Sequence, residues 1–141
     1  MSFIVKPVET FTLPLIIKEP TGVAETKEHD LAVTWKLLSK PERKALLKDI
    51  ETAKKEHREL ITQFAAGELE ELPEFEFSDI ALCEQLITGV DGLLTPDKEE
   101  IEYSAELLPE LFDMDYVEAA FSAQLGEVLY GKAIRDLLEK N

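Results

Sequence analysis

Leu31-Ala32-Val33-Thr34-Trp35-Lys36-Leu37-Leu38-Ser39-Lys40-Pro41-Glu42 is the stretch on which the reading of this chain turns. Leu31, Val33 and Trp35 alternate with Ala32, Thr34 and Lys36, the period-2 pattern of a half-buried strand. Just beyond Trp35 the signal changes. Ser39 is a good helix N-cap, and Glu42 stands three residues further on, which makes a capping box. Pro41 falls in the first turn, where backbone N–H groups have no partner to lose. A strand therefore runs almost directly into a helix, and the expected class is α+β.

Downstream, Leu46, Ile50, Ala53, His57, Leu60 and Phe64 recur at spacings of four and three and draw one apolar stripe along a helix over 40–64. Lys44, Lys48, Glu51, Lys55 and Glu59 lie off that stripe, with Glu51 and Lys55 at the favourable i,i+4 spacing. Gly67 is placed to stop the helix. Upstream, Phe3, Val5, Phe11, Leu13, Leu15 and Ile17 occupy odd positions of an extended region. Pro14 inside that run fits an edge strand or a bulge. Glu19–Gly22 reads as a turn and 23–30 as a polar loop or irregular strand. Two strands alone are marginal, so a third strand or a helix is required against their apolar face.

Residues 67–77 read as an acidic linker containing Pro73. Ser78 caps a short helix with Ile80, Cys83, Leu86 and Ile87 inward and Gly89 as terminator, followed by a loop to Asp97. Ser104 opens another short helix with Leu107, Leu108 and Leu111 inward. Asp115 and Glu118 form a second candidate capping box, with Met114 stapled onto Ala119. The helix that follows carries Val117, Ala120, Phe121, Leu125, Val128 and Leu129. Gly126 inside it suggests a close helix contact, at a cost of about 1 kcal/mol relative to Ala. Gly131 kinks or ends it, and Ile134, Leu137 and Leu138 form a last apolar patch. The expected architecture is a single, predominantly helical α+β domain over 1–141. It comprises a small N-terminal antiparallel β unit (1–38), a long amphipathic helix (39–66), the linker (67–77) and a helical part (78–141).

The 141 residues suit one domain, and the chain is long enough to bury a core without a staple. Cys83 is the only cysteine, which rules out an internal disulfide and a multi-cysteine zinc site. Thirty acidic residues against 15 basic ones give a formal charge of -15, a surface that repels phosphate backbones and anionic membranes. Neither nucleic acid nor membrane is an expected partner. No apolar run approaches the roughly 20 residues of a membrane span, and the cytoplasm is the expected compartment. The charge is uneven. Residues 1–70 hold 11 basic and 12 acidic residues, whereas 71–141 hold 4 and 18. The acidic half reads either as a solvated surface or as a face that selects basic partners.

Chemistry-bearing patterns are sparse. His57 sits on the apolar stripe and His29 in a charged segment, too far apart in sequence to form a local motif. Cys83 lies on the inward side of a helix with no local base. The segment from Asp91 to Glu102 has acidic residues at the first and last positions of a calcium loop. However, it places Leu93, Thr95 and Pro96 where ligands and the turn glycine belong. There is no phosphate-binding glycine loop, HExxH or nucleophile elbow. No catalytic residue, metal or cofactor is expected. Aromatic and large apolar side chains are the better candidates for function. Phe75 and Phe77 alternate with glutamates in the linker, so they either pack back on the long helix or meet a partner. The expected client or subunit contacts are Trp35, Phe64, Phe75, Phe77, Tyr103, Phe121 and Leu125.

The order of these motifs resembles the tail assembly chaperones of long-tailed phages and prophages. The likeness rests on several stretches. One is Val33-Thr34-Trp35-Lys36-Leu37-Leu38-Ser39 running into the capped helix. Others are Leu86-Ile87-Thr88-Gly89-Val90-Asp91-Gly92-Leu93, then Ile101-Glu102-Tyr103-Ser104, and then Leu107-Leu108. Tyr116, Ala119, Ala120 and Phe121 extend it into the last helix. Val90 stands where the family often has Trp. The resemblance spans about residues 5–131 and implies a non-enzymatic role. Such a protein holds the tape measure protein, and in many members the tail tube protein, in assembly-competent form in the bacterial host cytoplasm. It is absent from the mature virion. On this reading 141 residues is the length of a short form, and self-association through the near-neutral half is a further option. Two other classes fit the same composition. One is a structural virion component such as a small tail or head-completion protein. The other is an acidic protein that masks a basic regulatory partner.

Overall fold

The computed structural model describes residues 8–132, together with 135, 138 and 139. It is an α+β chain, and the strand-to-helix passage organises it as expected. Strand β1 (Thr10–Gly22) and strand β2 (Glu25–Lys36) form a long antiparallel hairpin, and helix α1 (Lys40–Ala65) follows. Helix α2 (Asp79–Leu86) leads into strand β3 (Ile87–Asp91). A single 3-10 turn (Ala105–Leu107), the short helix α3 (Leu108–Phe112) and helix α4 (Asp115–Leu129) complete the described elements.

Both hairpin strands reach further than their apolar alternation. Pairing runs from Thr10 opposite Lys36 to Gly22 opposite Glu25, with Thr21 bulged out between Pro20 and Gly22. The turn is therefore at Val23–Ala24, not at Glu19–Gly22, and 25–30 is strand. Alternation marks only the half of the ribbon that has a core beneath it. The outer half is held by backbone pairing, with Glu19 and His29 meeting at 2.6 Å. Leu13, Leu15 and Ile17 are buried as the odd-position pattern requires, whereas Phe3 and Val5 lie outside the described residues. Pro14 sits on an edge strand, where its missing N–H costs no ladder bond.

The third strand comes from an unexpected place. Ile87–Asp91 pairs antiparallel with Ala32–Trp35, giving the order β1-β2-β3. Gly89 pairs with Thr34 instead of ending α2. Thr88 is bulged, and its hydroxyl donates to the Thr34 carbonyl at 3.3 Å.

α1 has the expected capping box. Ser39 Oγ accepts from the Glu42 N–H at 3.3 Å, and Glu42 Oε1 accepts from the Ser39 N–H at 3.1 Å. At its other end Gly67 takes φ +78°, with the Glu68 N–H on the Gln63 carbonyl and the Gly67 N–H on the Phe64 carbonyl. That is the Schellman pattern, which a residue with a Cβ adopts only under strain. Ser78 caps α2 through the Ala81 N–H. The second expected box does not form. The N-cap of α4 is Met114, with no side-chain bond, and Asp115 already lies in the first turn.

The inner sheet face (Leu13, Leu15, Ile17, Leu31, Val33, Trp35, Val90) is covered by Val117, Phe121, Leu125 and Val128 of α4. Leu82, Cys83 and Leu86 of α2 and Leu108 of α3 join the same core. α4 is the helix that lies closest on β1. One polar group is built into this core. Trp35 Nε1 donates to Gln124 Oε1 at 2.8 Å, and Gln124 Nε2 donates to the Pro14 carbonyl at 2.9 Å. Both bonds satisfy groups that would be costly to bury alone. α1 adds Ile50 as a fully buried core member, with Leu46 and Leu47 partly buried against the core.

Candidate functional site: a groove along the long helix

α1 is about 39 Å long at 1.5 Å per residue, yet it buries completely only Ile50 and Ala53. A groove remains between α1 and α4. Leu47, Ile50 and Lys54 form the α1 side, and Ser122, Leu125, Gly126, Leu129 and Tyr130 the α4 side. Phe75, Phe77, Ser78, Asp79 and Leu82 close it from the linker and α2. This part encloses about 270 Å³. Beyond Tyr130, toward the N-terminus of α1, it adjoins a second, wider space of about 630 Å³ between Leu37, Leu38, Lys40, Glu42 and Arg43 on one side and Tyr130, Gly131, Arg135 and Leu138 on the other. Tyr130 borders both parts and is 65% exposed.

Gly126 decides the depth of the narrow part. A Cβ built on it meets nothing within 4 Å, so the close helix contact expected there does not exist. The missing side chain leaves room in the groove. Ser122 Oγ is buried in the α4 wall and has no hydrogen-bond partner among the described residues. Gly131 serves the wide part. It has φ +72°, and a Cβ there would sit 3.0 Å from the Arg43 guanidinium carbon. Arg43 is thereby laid over bare backbone at the rim.

Of the expected contact residues, Phe75 and Phe77 take the option of packing back on α1. Phe75 lies 5.3 Å from the His57 ring and 6.4 Å from Phe77, measured between centroids, and both phenyl rings line the groove. Leu125 contributes to its wall. Phe64 is 43% exposed near the far end of α1, beyond the groove. Trp35 and Phe121 are 0% exposed and have no surface left for a partner. Their large apolar side chains complete the sheet–α4 core, and the structure removes them from the contact set. Tyr103 lines a separate polar recess with Thr88–Asp91 and Glu100–Glu102. Arg43, Leu47, Gly126, Tyr130 and Arg135 were not among the expected site residues. Gly126, a glycine inside a helix, and Tyr130, an aromatic next to a glycine at a helix end, carried a signal in the sequence; Arg43, Leu47 and Arg135 did not.

Cys83 is fully buried, and burial first, then the carboxylates of Asp79 and Glu84, pushes its thiol up to about 12. The Tyr103 hydroxyl, buried without a partner among the described residues, is likewise pushed up to about 12 by burial, then by Cys83 and Glu84. Both groups stay protonated near neutrality. Among the described residues no cluster of three His, Cys, Asp or Glu side chains is placed to hold a metal ion. No described helix is long and apolar enough to cross a membrane. No family model matches the chain, and no curated protein or solved structure is significantly similar to it.

Proposed function

We propose that this protein is a non-enzymatic tail assembly chaperone whose groove along α1 shelters apolar helical segments of the tape measure protein. The tail tube protein is a second client. The complex belongs to the host cytoplasm, and the chaperone is left out of the finished virion. The observation that carries the reading is the open apolar groove between α1 and α4. Its apolar lining and its length along α1 are of the kind that helix-in-groove packing uses. A tape measure protein is a long helical chain whose apolar stripes need such cover before assembly. The acidic surface of residues 71–141 keeps the loaded complex in solution by charge repulsion between complexes.

Co-expression with the tape measure protein of the same phage or prophage is the direct test, with soluble complex as the readout. The wild-type chain is expected to bring the tape measure protein into the soluble fraction. The double variant Leu47→Asp, Tyr130→Ala is expected to lose this effect while keeping its circular dichroism and its Trp35 emission. A tape measure protein that stays insoluble with the wild-type chain overturns the reading. Recovery of the chain from purified mature particles also overturns it, in favour of a structural virion component.

A further inference from the structure

The rim of the groove is basic in a chain whose net charge is -15. Lys40, Arg43 and Arg135 border its wide part against one carboxylate, Glu42, which is tied to the Ser39 N–H, and Lys54 borders its narrow part. Among the described residues the sole contact between a basic side chain and a carboxylate is Glu19–His29, so none of these four cations lies within salt-bridge distance of a described carboxylate. α1 concentrates the effect. It carries seven of the chain's 15 basic residues against five acidic ones. At about 100° per residue, Lys40, Lys44, Lys48, Lys54, Lys55 and Arg58 all fall within a sector of about 120°. That sector also contains Leu47 and one acidic residue, Glu51, and its Leu47 and Lys54 edge is where α1 borders the groove. The opposite wall offers Asp79.

We infer that the groove takes an amphipathic helix with acidic residues on the flank that faces α1. This rests on the groove being the client site, and it adds the chemistry of the client. The span from Lys40 to Lys54 is about 21 Å, or roughly four helical turns, and so presents several anchor positions. Leu47 on α1 and Tyr130 at the end of α4 flank the space for apolar side chains, and the basic sector of α1 receives the acids. A helix with basic flanks is attracted by the molecule as a whole and repelled at the place where it must bind. Charge complementarity at the rim sets specificity and orientation more than it sets affinity. The occupant is a protein helix. An anionic lipid surface matches the basic sector but is repelled by the remaining surface.

The test uses two synthetic 18-residue helices with one common leucine stripe, flanked by glutamate in one and by lysine in the other. Fluorescence anisotropy with the full chain at 150 mM NaCl is expected to show the glutamate helix binding about ten-fold tighter, as two or three half-exposed ion pairs allow. Added salt is expected to weaken it. The double variant Arg43→Glu, Lys54→Glu is expected to invert the order. Should that variant unfold, Arg43→Gln, Lys54→Gln is expected to bring the two peptides together. Equal or tighter binding of the lysine helix overturns the inference, as does binding of the chain to anionic vesicles with neither peptide bound. Gly126→Leu separates the two levels, since it fills the groove where there is open space. If it abolishes binding of both peptides and the lysine helix was the tighter, the groove stands and its charge selectivity falls. If it changes nothing, the groove itself is misplaced.

Discussion

Gln124 joins three elements with two hydrogen bonds, from the Trp35 indole and to the Pro14 carbonyl. Gln124→Leu leaves a buried N–H and a carbonyl without partners, and the expected loss is about 3 kcal/mol of stability in urea unfolding. Trp35 is the only tryptophan, so its emission reports the same site. A loss well under about 1 kcal/mol would mean that water replaces the amide. Ala24 presents the opposite case. Its φ of +59° is the left-handed region, at a cost of about 1 kcal/mol for a residue with a Cβ. Ala24→Gly is expected to raise the unfolding midpoint, since the hairpin turn no longer forces that conformation. Cys83 and Tyr103 give a pH dependence whose sign is fixed. Their protonated forms are favoured by folding, with the thiol raised from 9.0 to about 12 and the phenol from 10.0 to about 12. Unfolding releases their protons above those ordinary values, so stability is intact below about pH 9 and falls between there and pH 12. Unfolding at pH 8 and pH 10 checks this, and Cys83→Ala is expected to flatten the difference. At this scale the sequence was informative about caps and burial, as Ser39, Glu42 and Gly67 show. It said nothing of Gln124, because a lone glutamine in an apolar run looks like a surface position until its partners from residues 14 and 35 are in place.

Elements with a long period were readable, and short ones were not. α1 repeats its apolar stripe over many turns and was expected within a residue or two of its bounds. β3 has five residues, and its Gly89 carries the stop signal of a helix. What makes it a strand is the unpaired edge of β2, more than fifty residues earlier in sequence, and no local pattern shows that. The groove was legible only as a surplus of apolar stripes. Its depth depends on Gly126, whose significance in the sequence pointed to close packing. Gly126→Ala is expected to stabilise α4 by about 1 kcal/mol through helix propensity while shallowing the narrow part of the groove. Paired measurements of thermal midpoint and peptide affinity should therefore move in opposite directions. Among the described residues no strand pairs with the outer edge of β1. Pro14 gives its carbonyl to Gln124, away from β2, and Pro20 has the same parity along the strand. Both prolines thus remove donors from the exposed edge, which discourages strand addition by another chain.

Across the whole molecule 30 acidic residues stand against 15 lysines and arginines, and among the described residues none of those cations lies within salt-bridge distance of a carboxylate; the one contact of that kind is Glu19–His29. The folded state therefore carries self-repulsion that is little offset by local pairing, and salt is expected to stabilise it. Raising NaCl from 20 to 500 mM should lift the thermal midpoint by a few degrees. An unchanged midpoint would mean that the unfolded chain repels itself just as strongly. The two halves also differ in how firmly they are held. α4 is tied to the sheet by its buried apolar face and by Gln124, while α1 is anchored through Ile50, Ala53 and a few half-buried leucines. The two walls of the groove thus belong to regions of different local stability. Amide hydrogen exchange should find the α1 residues after Ala53 opening first, and β2 with α4 opening only on global unfolding. A bound helix would slow exchange most on the α1 side, so the protein tightens its grip by ordering one wall against another that is already rigid.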